Sequence, residues 1–382
     1  MSSDPHRTEI DGDRTIHPAT TTIAAFVGQA IGGPLARPLQ VTSIAEFAEV
    51  FAVGDPTSVG NQSVANFLSQ AVRTFFAEGG ARAYVVRVSQ GGDSRSDAYA
   101  AALQALAEVN DVSVVAAPGS SYVPPDAPAA RADADTIADL LIRHAEQMRY
   151  RFAVIDSANG LDPQGALTQR GRLNSSYAAF YYPWVSAKDS STGRDVLLPP
   201  SGFVAGVYAR VDARRGPWKA PANETIGTAT GLEKTLDAPQ SASLNAAGIN
   251  VFRVLPGQGV TLWGARTASD DPEWRYVNVR RYAAFLEHSI ADGLQWAVFE
   301  ANNEQLWSAA RRTVQTFLFA SWQSGALVGN KPEEAYFVRC DRTTMTQQDI
   351  DDGRMVCEVG VAIVRPAEFV IFRIGQWTSK RP

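Results

Sequence analysis

The sequence has few of the residues that build metal centres and disulfide frameworks. It contains two cysteines, Cys340 and Cys357, and four histidines among 382 residues. Two cysteines can form one bridge at most, which excludes a disulfide scaffold, and a reducing compartment would keep both as free thiols. No pair of histidines has ligand spacing and no Cys-x-x-Cys is present, so we expect no metal site.

An excess of basic charge and long apolar runs are also missing. Lys+Arg is 35 and Asp+Glu is 40, a net charge of −5, whereas a nucleic-acid-binding protein normally has a basic excess or stripe. No apolar run approaches the ~18 residues of a membrane span, and residues 1–18 lack the apolar core of a secretory signal. We therefore expect no nucleic-acid partner, no membrane insertion, and a protein made and kept in a cytoplasm.

Catalytic and cofactor motifs are missing as well. The stretch at 227–235 (GTATGLEKT) lacks the Gly-Lys-Ser/Thr ending of a phosphate loop, and no G-x-G-x-x-G follows a predicted strand. No G-x-S-x-G serine elbow is present. The acidic turn at 349–353 places Ile350 and Val359 where a calcium loop needs ligands. These absences predict a scaffold without cofactor or catalytic residues; a degenerate α/β hydrolase, with a site that no motif reveals, is the alternative.

Up to residue 255, apolar runs alternate with amphipathic segments. The runs predict strands at 23–28, 83–88, 112–117, 152–156 and 178–185, and the amphipathic segments predict helices at 43–51, 61–78, 95–108, 130–149, 162–175 and 201–213. The strands are continuously apolar, which is typical of a mostly parallel sheet covered on both faces. We predict an α/β domain over 23–255, preceded by an extended arm at 1–22, with surface loops at 186–200 and 214–250.

The pattern after residue 256 predicts a second, α+β domain that extends to residue 365. It has a strand-like start at 276–281 that leads into a helix, a short strand at 296–300, a long helix at 304–324, and strands at 336–340 and 355–364 joined by a polar loop at 341–354. Cys340 ends one of these strands and Cys357 begins the next, so we expect the two thiols to lie near each other.

The last segment, 366–382, predicts a strand with two apolar faces. One face carries Phe369, Ile371 and Trp377, and the other carries Val370, Phe372 and Ile374. Both apolar faces of such a strand must be covered by other protein surfaces. A central strand of its own domain satisfies this requirement, and so does insertion into the sheet of another subunit.

Several stretches resemble the tail sheath proteins of contractile phage tails and related injection systems. They are IAAFVGQAIGGP, VTSIAEFAEVF and AVRTFFAEGGARAYVVRV in the first half, and WGARTASDDPEWRYVNVRR, GLQWAVFEANNEQLW, AYFVRCDRTTMTQQDIDDGRMVCEVGVA and VRPAEFVIFRIGQW in the second. The resemblance covers residues 20–377.

The resemblance implies a structural subunit and no enzyme. Six-subunit rings would stack around an inner tube, between baseplate and terminal cap proteins, in a particle assembled in a bacterial cytoplasm, and contraction would drive the tube through a target envelope. The α/β domain would have a subtilisin-like fold without catalysis and face outward, and residues 256–365 would face the tube. The apolar residues of 366–382 would form an inter-subunit arm. Another virion component is the remaining alternative.

The long helix at 304–324 has a polar side away from its packing stripe. That side carries Glu304, Ser308, Arg311, Arg312 and Gln315. The resemblance implies that a helix of this domain touches the tube through polar contacts, which makes these residues candidate tube contacts; a solvated helix face is the other interpretation.

Overall fold

The computed structural model describes residues 14–368, with gaps at 53–56, 60–61, 65, 90–93, 126, 128 and 190–191. In chain order the strands are β1 (Ala24–Gln29), β2 (Leu39–Val41), β3 (Thr57–Val59), β4 (Gln62–Val64), β5 (Ala83–Val88), β6 (Val114–Ala116), β7 (Phe152–Asp156), β8 (Ala178–Tyr182), β9 (Val185–Lys188), β10 (Asp195–Leu198), β11 (Glu224–Thr225), β12 (Ala229–Leu232), β13 (Ile249–Leu255), β14 (Gly259–Trp263), β15 (Tyr336–Arg339) and β16 (Glu358–Val361). The helices are α1 (Ile44–Phe51), α2 (Phe67–Ala77), α3 (Arg95–Leu106), α4 (Ala130–Met148), α5 (Pro163–Arg170), α6 (Ser201–Arg215), α7 (Ala238–Ala246), α8 (Val277–Gly293), α9 (Glu304–Gln323), α10 (Pro332–Ala335) and α11 (Gln347–Asp351).

A nine-stranded sheet in the order β11-β14-β13-β8-β7-β6-β1-β5-β2 dominates the fold. From β5 to β13 its neighbouring strands run parallel, and β2, β14 and β11 add antiparallel edges. The predicted α/β class with a mostly parallel sheet is thus confirmed. The hairpin of β13 and β14 carries this sheet past residue 256, where we had placed the start of the second domain.

Helices cover both faces of the sheet. On β1, Phe26 packs in a core with α2 and α6, whereas Ala25 and Val27 pack in a core with α3 and α4, because successive side chains of a strand point to opposite faces. Every residue of β7 and β8 is buried. Burial on two faces explains why these strands are continuously apolar in the sequence.

The helix predicted over 61–78 begins later than expected. It starts at Phe67, where the Asn66 side chain accepts a hydrogen bond from Ser69 N at 3.1 Å. The preceding β4 pairs with β3 as an antiparallel hairpin. The apolar spacing around Val64 fits a helix as well as a strand, and the capping residue Asn66 is the feature that sets the start.

The prediction of surface loops at 186–200 and 214–250 is wrong. These stretches contain the three-stranded sheet β10-β9-β12, helix α7 and the beginning of β13. The short strands are only partly buried and rich in small and polar residues, so their apolar pattern is weak. Helix α7 is marked instead by a capping box in which Asp237 and Gln240 exchange hydrogen bonds at 2.7 and 3.1 Å.

Two strands predicted in the C-terminal part are also wrong. Residues 276–281 form the start of α8, where Val277 packs into the core of the large sheet; its β-branched neighbours had suggested a strand. Residues 296–300 begin within a single 3₁₀ turn, Gln295–Ala297, and do not form a strand. The strands at 336–340 and 355–364 and the helix at 304–324 are confirmed by β15, β16 and α9, and the polar loop between the strands contains α11.

Residues 14–22 have no regular secondary structure and lie along α8. Ile16 is 5% exposed and packs with Tyr282 and Leu286. Its Cγ1 comes so close to Gly293 that a Cβ there would lie 2.5 Å away. Ala19 N donates to Ser289 Oγ at 2.9 Å. This part of the predicted N-terminal arm is therefore held against the chain's own C-terminal helices, and residues 1–13 lie outside the described residues.

Candidate subunit-contact surfaces

The five predicted tube-contact residues do not form one open surface on α9. Glu304 and Arg312 are exposed, whereas Ser308, Arg311 and Gln315 are half-buried. The covered part faces β15 and the turn after it. There the Tyr336 hydroxyl donates to the Gln315 carbonyl at 3.5 Å, and Arg311 is close enough to Cys340 to influence its thiol. Glu304 pairs with Arg342 at 3.4 Å on the surface.

Arg312 lies instead at the rim of an apolar groove of about 570 Å³ between α9 and residues 14–18. Trp218, Tyr282, Phe285 and Phe317 line this groove. Of the two arginines on the polar side of α9, Arg312 is thus the more accessible to a partner.

The strand β16 has an open edge. Ala362 N donates to Ala335 O at 2.8 Å and Val328 N donates to Ala362 O at 2.7 Å, so Ala362 turns its backbone toward β15 and residues 326–328. Since alternate residues of a strand direct their N–H and C=O groups to opposite sides, those of Val359, Val361 and Ile363 point the other way. Among the residues that the structure describes, no strand pairs with that side of β16.

A groove of about 780 Å³ runs beside the open edge. Its apolar part is lined by α8 and by the edge, and its polar part by charged side chains around them. The apolar residues include Val279, Ala283, Leu286, Ile290, Val359, Val361, Ala362 and Ile363, and the charged ones are Arg149, Glu273, Glu287 and Arg365. An unpaired strand edge next to an apolar groove is a ready template for a strand from another chain. We refer to this region as the β16 edge.

The six residues predicted as the inter-subunit arm lie outside the described residues; they are Phe369, Val370, Ile371, Phe372, Ile374 and Trp377. The structure describes their root, which ends at Glu368. The carboxylate of Glu368 forms a bidentate ion pair with Arg266.

Phe299 is an exposed residue that the sequence pattern did not single out. Its side chain is fully exposed, Val298 beside it is 61% exposed, and its backbone has φ 68°. The segment 296–300 was predicted only as a short strand, without a role for Phe299. A positive φ at a non-glycine residue has no clear signal in a single sequence.

Two of the described histidines, His144 and His288, are engaged in packing. His144 is bonded to Arg151, and burial lowers the pKa of its imidazole to about 4. His288 stacks on Tyr150 with ring centroids 4.4 Å apart and has Nε2 3.2 Å from Asp292. His17 is exposed in the N-terminal segment. These contacts engage the imidazoles of His144 and His288.

One buried acid and a serine do meet at the carboxyl end of β7. Asp156 accepts hydrogen bonds from Ser201 N and Oγ, each at 2.7 Å, and burial raises the pKa of Asp156 to about 7. The serine donates to the carboxylate, so it is held as a structural partner at the start of α6. Both residues are buried, so the serine hydroxyl is shielded from a substrate.

The acidic turn at 349–353 is neutralised by its own arginine. Arg354 Nε lies 3.0 Å from Asp349, and its Nη2 lies 2.8 Å from Asp352. Within the described ranges no group of three or more histidine, cysteine, aspartate or glutamate side chains is arranged to hold a metal ion. No described helix is long and apolar enough to cross a membrane.

The two cysteines face each other across the end of the β15–β16 hairpin. Arg339 pairs with Glu358, so Cys340 and Cys357 continue the register as the next opposed pair. Both are free thiols, and the hydrogen bond with Cys357 raises the pKa of Cys340. The expected proximity of the two thiols is confirmed.

Arg281 of α8 joins three parts of the chain. Its Nη2 and Nη1 donate to the Asp212 carboxylate of α6 at 2.6 and 3.1 Å, and Nη2 also donates to the Thr21 carbonyl at 3.1 Å. The guanidinium carbon lies 4.5 Å from the centre of the Tyr208 ring. Both charged side chains are almost wholly buried, and breaking a buried pair of this kind is strongly destabilising.

Two family models match consecutive parts of this chain. The phage tail sheath protein central domain matches residues 92–268, and the phage tail sheath C-terminal domain matches residues 269–376. The chain belongs to the phage tail sheath family. It is a structural protein of a contractile sheath, of the kind found in phage tails and phage-like injection particles.

Solved sheath structures resemble the whole chain. A chain in the cryo-EM structure of the anti-feeding prophage baseplate is 33% identical with a TM-score of 0.80, and the match covers 99% of this chain and 100% of that one. A chain of the PVC sheath complex, an extracellular contractile injection system in its contracted state, is 31% identical with a TM-score of 0.79, over 95% and 93%.

Curated sheath relatives match over shorter regions. The tail sheath protein of Burkholderia phage BcepMu is 29% identical over 57% of this chain and 48% of its own length. Across three such relatives, the chain spans between 31% and 61% of their lengths.

Proposed function

We propose that this sheath protein polymerises as stacked six-subunit rings around an inner tube and contracts to drive the tube through a target envelope. Its partners are further copies of itself, the tube protein, the baseplate and a terminal cap, and assembly takes place in the bacterial cytoplasm. The resemblance over nearly the full length to chains in baseplate and sheath assemblies supports this proposal.

The observation that carries the proposal is the β16 edge. A strand with two apolar faces, as predicted for the segment after Arg365, needs a sheet edge for its backbone and apolar cover for its side chains. The β16 edge offers both, with open backbone groups on Val359, Val361 and Ile363 and an apolar groove beside them. We infer that the arm of one subunit adds a strand to the β16 edge of a neighbour.

The energetics favour a linked mesh over a single strong contact. Each large apolar side chain of the arm contributes about 1.5–3 kcal/mol when fully buried, whereas ordering the backbone costs about 1–2 kcal/mol per residue. One docked arm is therefore only moderately favourable. Many arms along a sheath hold the subunits together while the rings rearrange.

The free energy of contraction would come from the difference between two packings of the same subunits. The contacts of His144, His288 and Ser201 support a protein without an active site. The proposal keeps residues 23–255 as the outer domain with a subtilisin-like fold, residues 256–365 as the tube-facing domain, and 1–22 and 366–382 as arms.

Truncation after Arg365 tests the arm. The shortened subunit should keep its circular dichroism spectrum and a cooperative melt but form no sleeves in negative-stain micrographs. A matched control that ends after Trp377 retains all six apolar residues and should form sleeves. Sleeves from the shorter protein would contradict the proposed arm exchange, and loss of its cooperative melt would show that the segment is a core strand of its own subunit.

A further inference from the structure

The root of the C-terminal arm is held by a built carboxylate site. Arg266 Nε and Nη2 donate to the two carboxylate oxygens of Glu368 at 2.8 and 2.6 Å, and the Tyr276 hydroxyl donates to Oε2 at 3.2 Å. A bidentate arginine–carboxylate pair fixes direction as well as distance. We refer to Arg266 and Tyr276 as the carboxylate clamp.

The clamp is organised by other parts of the fold. Arg266 Nη1 donates to the Asn245 and Ala246 carbonyls at the end of α7, at 3.0 and 3.2 Å. The Asn250 side chain brackets the backbone of Arg266, accepting from its N–H at 2.7 Å and donating to its C=O at 2.8 Å. The guanidinium is therefore fixed from two sides, whichever residue it binds.

The chain is also held where it leaves β16. Val364 N donates to Ala326 O at 3.1 Å, and Asn278 Nδ2 donates to the Val364 carbonyl at 3.0 Å. Residues 364–368, which would form the connection of a hairpin, are thus anchored at both ends.

This anchoring answers a problem of competition. An arm tethered a few residues from its own subunit's β16 edge has an effective concentration there in the millimolar range, as short flexible linkers do. A freely hinged arm would therefore occupy its own subunit's edge and leave none for a neighbour. Exchange between subunits therefore requires that the root of the arm disfavours pairing of the arm with its own subunit's β16 edge.

We propose that the carboxylate clamp positions the root of the C-terminal arm so that the arm is donated to a neighbouring subunit and does not fold back on its own β16 edge. This inference rests on the proposed arm exchange. Glu368, Arg266 and Tyr276 are positioning residues, since they set where the arm goes and make none of its contacts in the neighbour.

A labelled peptide with the sequence of residues 366–382 tests the clamp on monomers kept below the concentration of assembly. The subunit truncated after Arg365 should bind it because it has no arm of its own, and the full-length chain should bind it because the clamp directs its arm away from its own β16 edge. Glu368→Gln breaks the bidentate pair, so its own arm should occupy the edge and weaken peptide binding about tenfold or more. Glu304→Gln, which removes the carboxylate 3.4 Å from Arg342 on the surface of α9, is the matched control and should bind like the wild type.

Wild-type peptide affinity in Glu368→Gln would overturn the clamp while leaving arm exchange intact. Failure of the truncated subunit to bind the peptide would instead overturn the arm exchange. If Glu368→Gln has no cooperative melt, Tyr276→Phe removes only the hydroxyl contact and should weaken peptide binding by a smaller factor. Unchanged binding in that folded variant would then overturn the clamp.

Discussion

Asp156 and His144 are buried side chains whose titrations act on stability in opposite directions. Burial raises the pKa of Asp156 from 3.8 to about 7, so the folded protein binds the proton more tightly and stability is lost as pH rises between those values. Burial lowers the pKa of His144 from 6.5 to about 4, so stability is lost as pH falls between those values. Each shift corresponds to about 3–4 kcal/mol, and between pH ~4 and ~6.5 the two effects largely cancel.

Asp156→Asn should reveal the pH dependence of stability that comes from His144. The amide keeps an acceptor for Ser201 but does not titrate, so the variant should lose about 3 kcal/mol relative to the wild type as pH falls from ~6.5 to ~4. Urea unfolding at several pH values measures the difference. His144→Gln is the counterpart and should show the opposite slope. Parallel pH profiles for Asp156→Asn and the wild type would contradict the assignment.

Residues with a local role could be predicted from the sequence, and residues that act across the fold could not. Ser43 caps α1 and accepts a hydrogen bond from Glu46 N at 3.2 Å; such a role is predictable because a cap is defined by its neighbours in the chain. Arg281 and Asp212 are 69 positions apart. A single sequence carries no signal that joins them, and burial of both charges runs against the average behaviour of their residue types.

At the scale of elements, strands buried on both faces were predictable and partly exposed ones were not. β5, β7 and β8 coincide with apolar runs in the sequence. By contrast, β9, β10 and β12 have mixed composition, and β9 pairs with the other two in a separate sheet. Helix α8 was missed at its start because Val277 and Val279 favour strands intrinsically, and the packing of Val277 against the large sheet overrides that preference.

Removal of one backbone N–H tests strand addition at the β16 edge. Val361→Pro removes the N–H that points into the groove and leaves the hydrogen bonds of Gly360 and Ala362 to β15, since proline is tolerated where an edge strand's N–H is unpaired. The variant should fold, melt within a few degrees of the wild type and form no sleeves. Val361→Thr keeps both the shape and the N–H and should assemble in sedimentation and negative-stain assays. Normal sleeves from the proline variant would show that no strand adds at this edge.

At the scale of the molecule, the two predicted domains have a sheet and a helix in common. The large sheet includes β14, and α8 contributes Val277 to its core while presenting Tyr282 and Leu286 to α9. The composition and apolar spacing of the sequence change near residue 256. A change of this kind does not mark where a sheet ends. Pairing of β14 with β13 is set by a hairpin that crosses the change.

Charge reversal on α9 tests which surface meets the tube. Arg312→Glu alters an exposed side chain at a groove rim, so it should reduce sleeve assembly on preformed tubes severalfold while leaving the melt unchanged. Arg311→Glu, on the half-buried side near Cys340, should lower the melting temperature as well. Arg214→Glu makes the same change at the exposed C-terminal end of α6, in the other predicted domain, and is the control. Full assembly of Arg312→Glu on tubes would place the tube contact elsewhere.

The bond between Arg281 and the Thr21 carbonyl has a mechanical consequence. Tension applied to the N-terminal segment is resisted in shear where Ile16 sits against Gly293, and then passes through Thr21 into the guanidinium. That guanidinium belongs to α8 and is bonded to α6 through Asp212, so the load divides between the two halves of the chain at one point. A pull on this segment would therefore be transmitted to α8 and α6 together.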